Sequence, residues 1–184
     1  EYYEYPTSLP KVEFGNIKQD LFRRDFTINA MAIEIDHSNF GELIDFFNGY
    51  NDLKKGKIKV LHNLSFIEDP TRIIRAIRFA NRYDFKIDND TEKFIKDCVD
   101  KGFLNDLTWK RVRYEFRLIF SEENVEKAIY KLFEYGVFTA INENISLTKK
   151  LKRDLKELEE KFEYIERLDV KQWIIYFLIL LEEL

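Results

Sequence analysis

The chain has 184 residues, of which 45% are hydrophobic and 16% aromatic, enough to fill the core of one domain or two small ones. Charged residues make up 35% of the sequence, which is typical of a helix-rich globular protein and excludes a disordered chain. The single cysteine, Cys98, excludes an internal disulfide, and with the two isolated histidines, His37 and His62, it gives no zinc-binding pattern. We therefore expect a cytoplasmic protein.

The net charge of −4 hides a gradient along the chain. Residues 51–120 carry 16 basic and 11 acidic side chains, whereas the segments on either side are acidic. No apolar run reaches the length that spans a bilayer, so no membrane partner is expected, and we predict that residues 173–181 form a buried helix. The chain opens without an initiator Met or a leader, and we expect it to be a portion of a longer protein.

Short alternating apolar and polar runs come first and predict strands. They are separated by turn residues at Gly15-Asn16, at 37–39 and at Asn48-Gly49. The four predicted strands are residues 10–14, 32–36, 41–47 and 57–61.

After residue 68 the apolar residues recur at helical spacing, and we place a domain boundary near residue 65. Ser121 is predicted to cap one helix at its N-terminus, Gly136 to end that helix, and residues 151–168 to form a long charged amphipathic helix. The predicted fold class is α+β, with the C-terminal part of a small mixed-sheet head in residues 1–65. An all-α neck (66–120) and a partial helical body (121–184) follow it.

The segment EDPTRIIRAIRFANRY, residues 68–83, has the clearest helix start, with Asp69 as cap and Pro70 at the first helical position. Four arginines then share one face: Arg72, Arg75, Arg78 and Arg82. An adjacent carboxylate and guanidinium can match the edge of a base, and further arginines can reach phosphates. A solvated face whose arginines pair with Glu68, Asp84 or Asp88 is an equally good interpretation.

The segment DLFRRDFTINAMA, residues 20–32, sets Arg23, Arg24 and Asp25 before a predicted short helix containing Asn29. These side chains could bind a ligand, but an ion pair and an ordinary turn residue would explain them too. Downstream, TWKRVRYEFRLIF (108–120) mixes basic and aromatic residues in a way suited to an RNA backbone. Its candidate RNA-binding residues are Lys110, Arg111, Arg113 and Arg117. An amphipathic core helix with solvated arginines is the alternative.

Taken together, these segments resemble motifs of the class II tRNA nucleotidyltransferases, the CCA-adding enzymes and their bacterial poly(A) polymerase relatives. DLFRRDFTINAMAI and EDPTRIIRAIRF are similar to two of the family's motifs, in the family's order. Between them Asp45, Gly49, Asp52 and Leu53 match a linking Asp-Pro-Phe-x-Gly turn and Asp-Leu pair, although Phe46 stands where the family has proline. The resemblance covers roughly residues 1–120, and the opening segment is most similar to the A-adding subgroup.

The resemblance implies a role for each matched residue. Asp69 and Arg72 would form a protein template that reads ATP or CTP, and Arg75 and Arg78 would orient the triphosphate and that pair. Arg23, Arg24 and Asp25 would hold the sugar and phosphates, with Asn29 bracing their loop. Residues 1–65 would then be the remainder of a nucleotidyltransferase head, 66–120 a nucleotide-reading neck and 121–184 part of an RNA-binding body.

The implied reaction adds nucleotides to the 3′ end of tRNA or another RNA, using ATP or CTP and, in the intact enzyme, Mg²⁺. The family's Asp-x-Asp metal pair is not found, because the one D-x-D here, Asp88 to Asp90, has the pattern of a helix cap. We therefore assign no catalytic or metal residue, expect the metal carboxylates upstream of Glu1, and expect the chain alone to be inactive. A noncatalytic RNA-binding module and a helical scaffold without a nucleotide site remain alternatives. The oligomeric state is open, a homo-oligomer included.

Overall fold

The computed structural model describes residues 15–161, 167 and 170–182, and the predicted strand 10–14 lies outside them. The α+β class is confirmed, with short strands in the first half of the chain and helices in the rest. The first part comprises helix α1 (Ile17–Phe22), a 3₁₀ turn (Thr27–Asn29), strands β1 (Ala32–Ile33) and β2 (Leu43–Ile44), helix α2 (Gly49–Lys54) and strand β3 (Lys57–Ile58).

Helix α1 begins directly after Gly15-Asn16 and helix α2 begins at Asn48-Gly49, where the sequence predicted turns and no helix. Asn16 belongs to a capping box, in which its Oδ1 accepts a hydrogen bond from the Gln19 N–H and the Gln19 side chain accepts one from the Asn16 N–H. Asn48 adopts a left-handed conformation directly before α2. Turn residues and helix caps are the same residue types, and this is why both short helices were missed.

The remaining elements are helical apart from strand β4 (Lys86–Ile87) and a 3₁₀ turn (Phe103–Asp106). Helices α3 (Ser65–Glu68), α4 (Thr71–Tyr83), α5 (Asn89–Asp100) and α6 (Trp109–Ile119) come first. Helices α7 (Val125–Glu134), α8 (Val137–Ile141), α9 (Lys149–Glu160) and α10 (Gln172–Leu181) follow.

Two small sheets connect these elements. Strands β1 and β2 are antiparallel, while β3 pairs in parallel with β4, which lies beyond α4 in the chain. Phe26 and Ile58 from the first part are buried in one hydrophobic cluster with Ile73 and Ile77 of α4. The boundary near residue 65 is therefore crossed by both a strand pair and the core, and the three-part division of the chain stays a proposal.

The start of α4 lies close to its prediction. Oδ1 of Asp69 accepts hydrogen bonds from the backbone N–H and the hydroxyl of Thr71, so Asp69 does cap this turn. Pro70 precedes the helix by one residue and is not its first residue. Ile73, Ile74 and Ile77 are buried, as the helical register requires.

Three predictions about the body have different outcomes. Ser121 does not cap a helix, because its hydroxyl donates to the carbonyl of Arg117 at the end of α6, and Asn124 directly precedes α7. Gly136 does adopt the predicted left-handed conformation after α7. The predicted helix 151–168 is described as α9 as far as Glu160, and most of the rest lies outside the described residues.

Helix α10 is less buried than its apolar sequence predicts. Tyr176 and Leu180 are buried, whereas Leu178 and Leu181 are exposed. Within the described part of the chain, no helix has both the length and the apolar character needed to cross a membrane.

The turn before α2, in which Phe46 stands where the family motif has proline, is held by a carboxylate. Asp45 accepts hydrogen bonds from the backbone N–H groups of Phe47, Gly49 and Tyr50. Asp52, within α2, accepts a 2.8 Å bond from the Thr27 hydroxyl. At Gly49 the backbones approach so closely that a Cβ would lie 2.1 Å from the Thr27 carbonyl oxygen.

We predict that Gly49→Ala lowers the free energy of unfolding by about 3 kcal/mol or more, because the added methyl group would collide with rigid backbone. The control is Gly41→Ala, where the φ of 90° is strained but the space is open, so a loss of about 1 kcal/mol is expected. Urea denaturation of the two variants measures both values. Equal losses would show that the contact between α2 and the 3₁₀ turn is not tight.

Candidate nucleotide-binding site

The loop after α1 presents two arginines to solvent. Arg23 and Arg24 are both exposed, and both contact the carboxylate of Asp20, at 2.6 and 3.1 Å. The hydrogen bonds from Arg23 and Arg24 hold the pKa of Asp20 below its usual value, and the bond from Arg23 has the larger effect. The loop therefore keeps an accessible pair of guanidinium groups on a surface where an anion could approach.

Asp25, the next residue, is turned inward. Its Oδ1 accepts 2.9 Å bonds from the Phe26 N–H and the Asn29 side chain, and its Oδ2 accepts two bonds from the guanidinium of Arg75. Asn29 thus braces the loop through this carboxylate. Phe26, fully buried, anchors the same loop, whereas Ile33 in β1 is 64% exposed.

The arginines of α4 pair with carboxylates far away in sequence. Arg75 and Arg78 both contact Glu115 of α6, at 3.5 and 3.7 Å, and Arg78 and Arg82 both contact Glu122. We refer to Asp25, Arg75, Glu115, Arg78 and Glu122 as the α4 ion-pair network.

The local partners considered from the sequence are mostly wrong. Asp84 pairs instead with Lys127, and Asp88 pairs with Lys57. Of the three partners considered, Glu68 alone contacts an arginine of α4, at 3.9 Å from Arg72.

Much of this network is shielded from water. The side chains of Arg78 and Glu115 are each 7% exposed, and that of Arg75 is 30% exposed. Burial raises the pKa of Glu115, although Arg75 and Arg78 act in the opposite direction. Charges in such a place are tolerated only because each faces an opposite charge, so the network ties the loop 23–29, α4 and α6 into one arrangement.

The proposed base-reading residues lie at the junction of three segments. Asp69 accepts a 2.7 Å bond from Arg111 of α6 in addition to its bonds with Thr71. Arg72, 6% exposed, donates to the hydroxyl of Ser65 at 2.8 Å and to the backbone carbonyl of Arg23 at 2.9 Å. Among the described hydrogen bonds, none joins the side chains of Asp69 and Arg72, and each is instead held by a neighbouring element.

Helix α6 separates the predicted RNA-binding residues onto two faces. Lys110, Arg113 and Arg117 are exposed, as are the rings of Trp109 and Tyr114. The inward side of the helix is the one expected from its pattern, formed by Val112, Phe116 and Ile119.

Arg111 differs from the other basic residues of α6, since it turns toward Asp69. One hint of this is present in the sequence, because Arg111 and Glu115 are four residues apart and so share a face of the helix.

Asp88 and Asp90 behave as a helix cap. Oδ1 of Asp88 accepts a bond from the Asp90 N–H at the start of α5, and Oδ2 contacts Lys57. In residues 15–161, 167 and 170–182, no group of three or more His, Cys, Asp or Glu side chains is arranged to hold a metal ion.

Comparisons with known proteins identify the family. Residues 1–59 match the model of the "Poly A polymerase head domain", and residues 84–147 match the model named "Probable RNA and SrmB- binding site of polymerase A". The first match contains the loop 23–29 and the second contains α6. These matches define a chain of the poly(A) polymerase type.

The individual relatives indicate which enzymes of this class the chain is most similar to. An A-adding tRNA nucleotidyltransferase from Geobacter sulfurreducens is 43% identical over all of this chain, which covers 21% of that relative. A solved CCA-adding enzyme in an apo form is 43% identical with a TM-score of 0.94, covering 99% of this chain and 43% of that one. The Thermotoga maritima CCA-adding enzyme in complex with tRNA is 42% identical with a TM-score of 0.85, covering 90% of this chain and 41% of that one.

CCA-adding enzyme structures with ATP and with CTP are also 42% identical, with TM-scores of 0.86 and 0.85, each covering 90% of this chain and 40% of the other. The chain belongs to the family of CCA-adding tRNA nucleotidyltransferases and poly(A) polymerases. It spans about a fifth of the length of the A-adding relative.

We predict that Glu115→Gln lowers the free energy of unfolding by about 3 kcal/mol, because Arg75 and Arg78 would each lose the charge of one of their two carboxylate partners in a place shielded from water. The control is Glu134→Gln, which disrupts the exposed pair with Lys131 and should cost about 0.5 kcal/mol or less. Chemical denaturation at neutral pH gives both values. Similar small losses in the two variants would mean that water screens the α4 ion-pair network.

Proposed function

We propose that this chain supplies the nucleotide-recognition part, and a portion of the RNA-binding part, of an enzyme that adds A, or C and A, to the 3′ end of tRNA without a nucleic-acid template. One contact carries the proposal: the guanidinium of Arg72 binds the backbone of Arg23 at 2.9 Å. It joins the two motifs on which the family resemblance rests, although they are 49 residues apart. The A-adding and CCA-adding relatives support the same reaction.

Base selection is assigned to Asp69 and Arg72. A carboxylate oxygen and a guanidinium N–H offer an acceptor and a donor, and together they can match the hydrogen-bonding edge of a base. Arg111 orients Asp69 through its 2.7 Å bond, so Arg111 acts as a positioning residue. Ser65 and the Arg23 carbonyl fix the direction of Arg72 in the same way.

Sugar and phosphate recognition is assigned to the loop 23–29. Arg23 and Arg24 are exposed and can form charge-assisted bonds with a triphosphate. Asp25 and Asn29 set the shape of the loop, and Arg75 holds Asp25. Arg75 and Arg78 would therefore orient the triphosphate site through the α4 ion-pair network.

The proposed reaction is attack of the RNA 3′-hydroxyl on the α-phosphate of ATP or CTP, with pyrophosphate leaving. Mg²⁺ would stabilise the developing charge in the intact enzyme. Among the described residues no group of three or more carboxylate, histidine or cysteine side chains is arranged to hold a metal ion, and none is assigned to Mg²⁺. A cytoplasmic location rests on the single cysteine, Cys98, which is buried and free.

The RNA path is assigned to the exposed face of α6. Lys110, Arg113 and Arg117 lie at positions i, i+3 and i+7 and so form one basic stripe. The exposed rings of Trp109 and Tyr114 flank this stripe and could stack on unpaired bases. A single-stranded RNA 3′ end fits such a surface better than a duplex does.

We predict that Asp69→Ala reduces the choice between nucleotides more than the overall affinity, because the exposed arginines that bind the triphosphate are unchanged. Titration of the chain with each of ATP, CTP, GTP and UTP, followed by calorimetry, measures both quantities. Asp90→Ala is the control, since Asp90 lies at the exposed start of α5. Uniform weakening toward all four nucleotides would contradict the template role, and absence of ATP and CTP binding by the unaltered chain would contradict the proposed function.

We predict that Arg113→Glu and Arg117→Glu weaken RNA binding and make it less dependent on salt. The slope of log affinity against log salt concentration should become shallower by roughly 0.7 for each phosphate that is no longer neutralised. Arg111 is unsuitable for this test, because its reversal would also disturb Asp69. Lys96→Glu, on the exposed side of α5, is the matched control. Equal salt slopes in all of these proteins would place the RNA on another surface.

A further inference from the structure

His62 lies between the two proposed nucleotide motifs. Its imidazole ring stacks on the ring of Phe22, with centroids 4.8 Å apart and an angle of 27° between the planes. Phe22 is the last residue of α1 and directly precedes Arg23. The His62 side chain is 15% exposed, so its position is set mainly by its neighbours.

On its other side His62 contacts the segment that reads the base. Its Nε2 lies 3.4 Å from Oε2 of Glu68, the residue directly before Asp69. The same Oε2 atom lies 3.9 Å from Nη1 of Arg72. One carboxylate oxygen is thus shared between an imidazole and the guanidinium assigned to base selection.

The surroundings of His62 favour its neutral form. Burial lowers its pKa below the ordinary value, and the charge of Arg72 lowers it further, while Glu68 acts in the opposite direction. These two charged groups come from α3 and α4, whereas α1 presents the uncharged ring of Phe22. These surroundings therefore favour the neutral imidazole, which carries no charge that would draw the Glu68 carboxylate away from Arg72.

We propose that His62 is a positioning residue for nucleotide selection, which leaves the Glu68 carboxylate to Arg72 when neutral and competes for it when protonated. In the protonated form the imidazolium attracts Glu68 and repels Arg72, so the direction of the guanidinium is less well defined. Discrimination between ATP and CTP then weakens as the pH falls. This inference rests on the proposed function, since it concerns the same base-reading pair.

The ratio of the ATP and CTP affinities is the suitable measurement. Both nucleotides carry the same ribose and triphosphate, so a change of charge near the phosphates affects both affinities equally. The ratio isolates contacts with the base. His62→Gln removes the imidazole that titrates but keeps polar atoms at this position. Protonation of ATP and CTP themselves is the same in experiments with this variant and with the unaltered chain, so it does not affect the comparison.

The chain contains two histidines, which gives a matched control. His37 is exposed between β1 and β2, away from the proposed site, and His37→Gln should behave like the unaltered chain. ATP and CTP affinities are measured by calorimetry from about pH 5.5 to about pH 8, where a histidine titrates. We expect the ratio of the ATP and CTP affinities to fall about fivefold toward the acidic end in the unaltered chain and in His37→Gln. A factor of about five is the lower end of the coupling usually found between linked sites. In His62→Gln we expect no such fall.

Proton NMR of the two imidazoles supplies a second readout that does not depend on nucleotide binding. In Glu68→Gln, which loses the charge that favours the imidazolium, the titration midpoint of His62 should move to lower pH while that of His37 stays unchanged. An unmoved midpoint would show that Glu68 and His62 are not coupled, and would overturn the inference even if a histidine variant failed to fold.

The outcomes separate the inference from the proposed function. An affinity ratio that does not change with pH, or that changes equally in His62→Gln, overturns the role of His62 while leaving nucleotide binding intact. Absence of binding to either nucleotide at any pH overturns the proposed function itself.

Discussion

The α4 ion-pair network is the interaction on which the rest of the site depends. Two arginines on one helix face carboxylates that come from a loop about 50 residues earlier and from a helix about 40 residues later. A buried charge without a partner is strongly destabilising, so the three segments can pack only in the arrangement that pairs all of these groups. A buried ion pair adds less net stability than apolar packing would, and what it contributes here is a defined register between α4, α6 and the loop 23–29.

That register explains why the candidate site can be preorganised although its residues come from short elements. Arg72 is bound to Ser65 and to the backbone of Arg23, and Asp69 is bound to Thr71 and Arg111. Side chains held in this way lose little conformational entropy when a ligand binds. The exposed Arg23 and Arg24 differ, because Asp20, which both contact, is itself at the surface, and such ion pairs contribute little to stability.

The sequence predicted well what is decided locally. The apolar positions of α4 determined which side of this helix is buried, and the position of Asp69 placed its start to within one or two residues. Short helices were missed, because Asn16 and Asn48 can serve equally in turns and at helix ends. The sequence showed that four arginines share a face, but it could not show their partners, which depend on the tertiary packing of segments that are distant in sequence.

A residue's type also did not reveal which way it faces. Arg111 and Arg113 are two positions apart, so they lie about 200° apart around the helix axis. The first turns to Asp69 and the second to solvent. Helix α6 therefore joins a proposed base-reading carboxylate and a proposed RNA surface through a single rigid element. Their separation is set by the helix diameter, of about 10 Å, and not by the flexibility of a loop. An enzyme that brings a nucleotide and an RNA end together needs a fixed distance of this kind, because catalysis depends on the alignment of the reacting atoms.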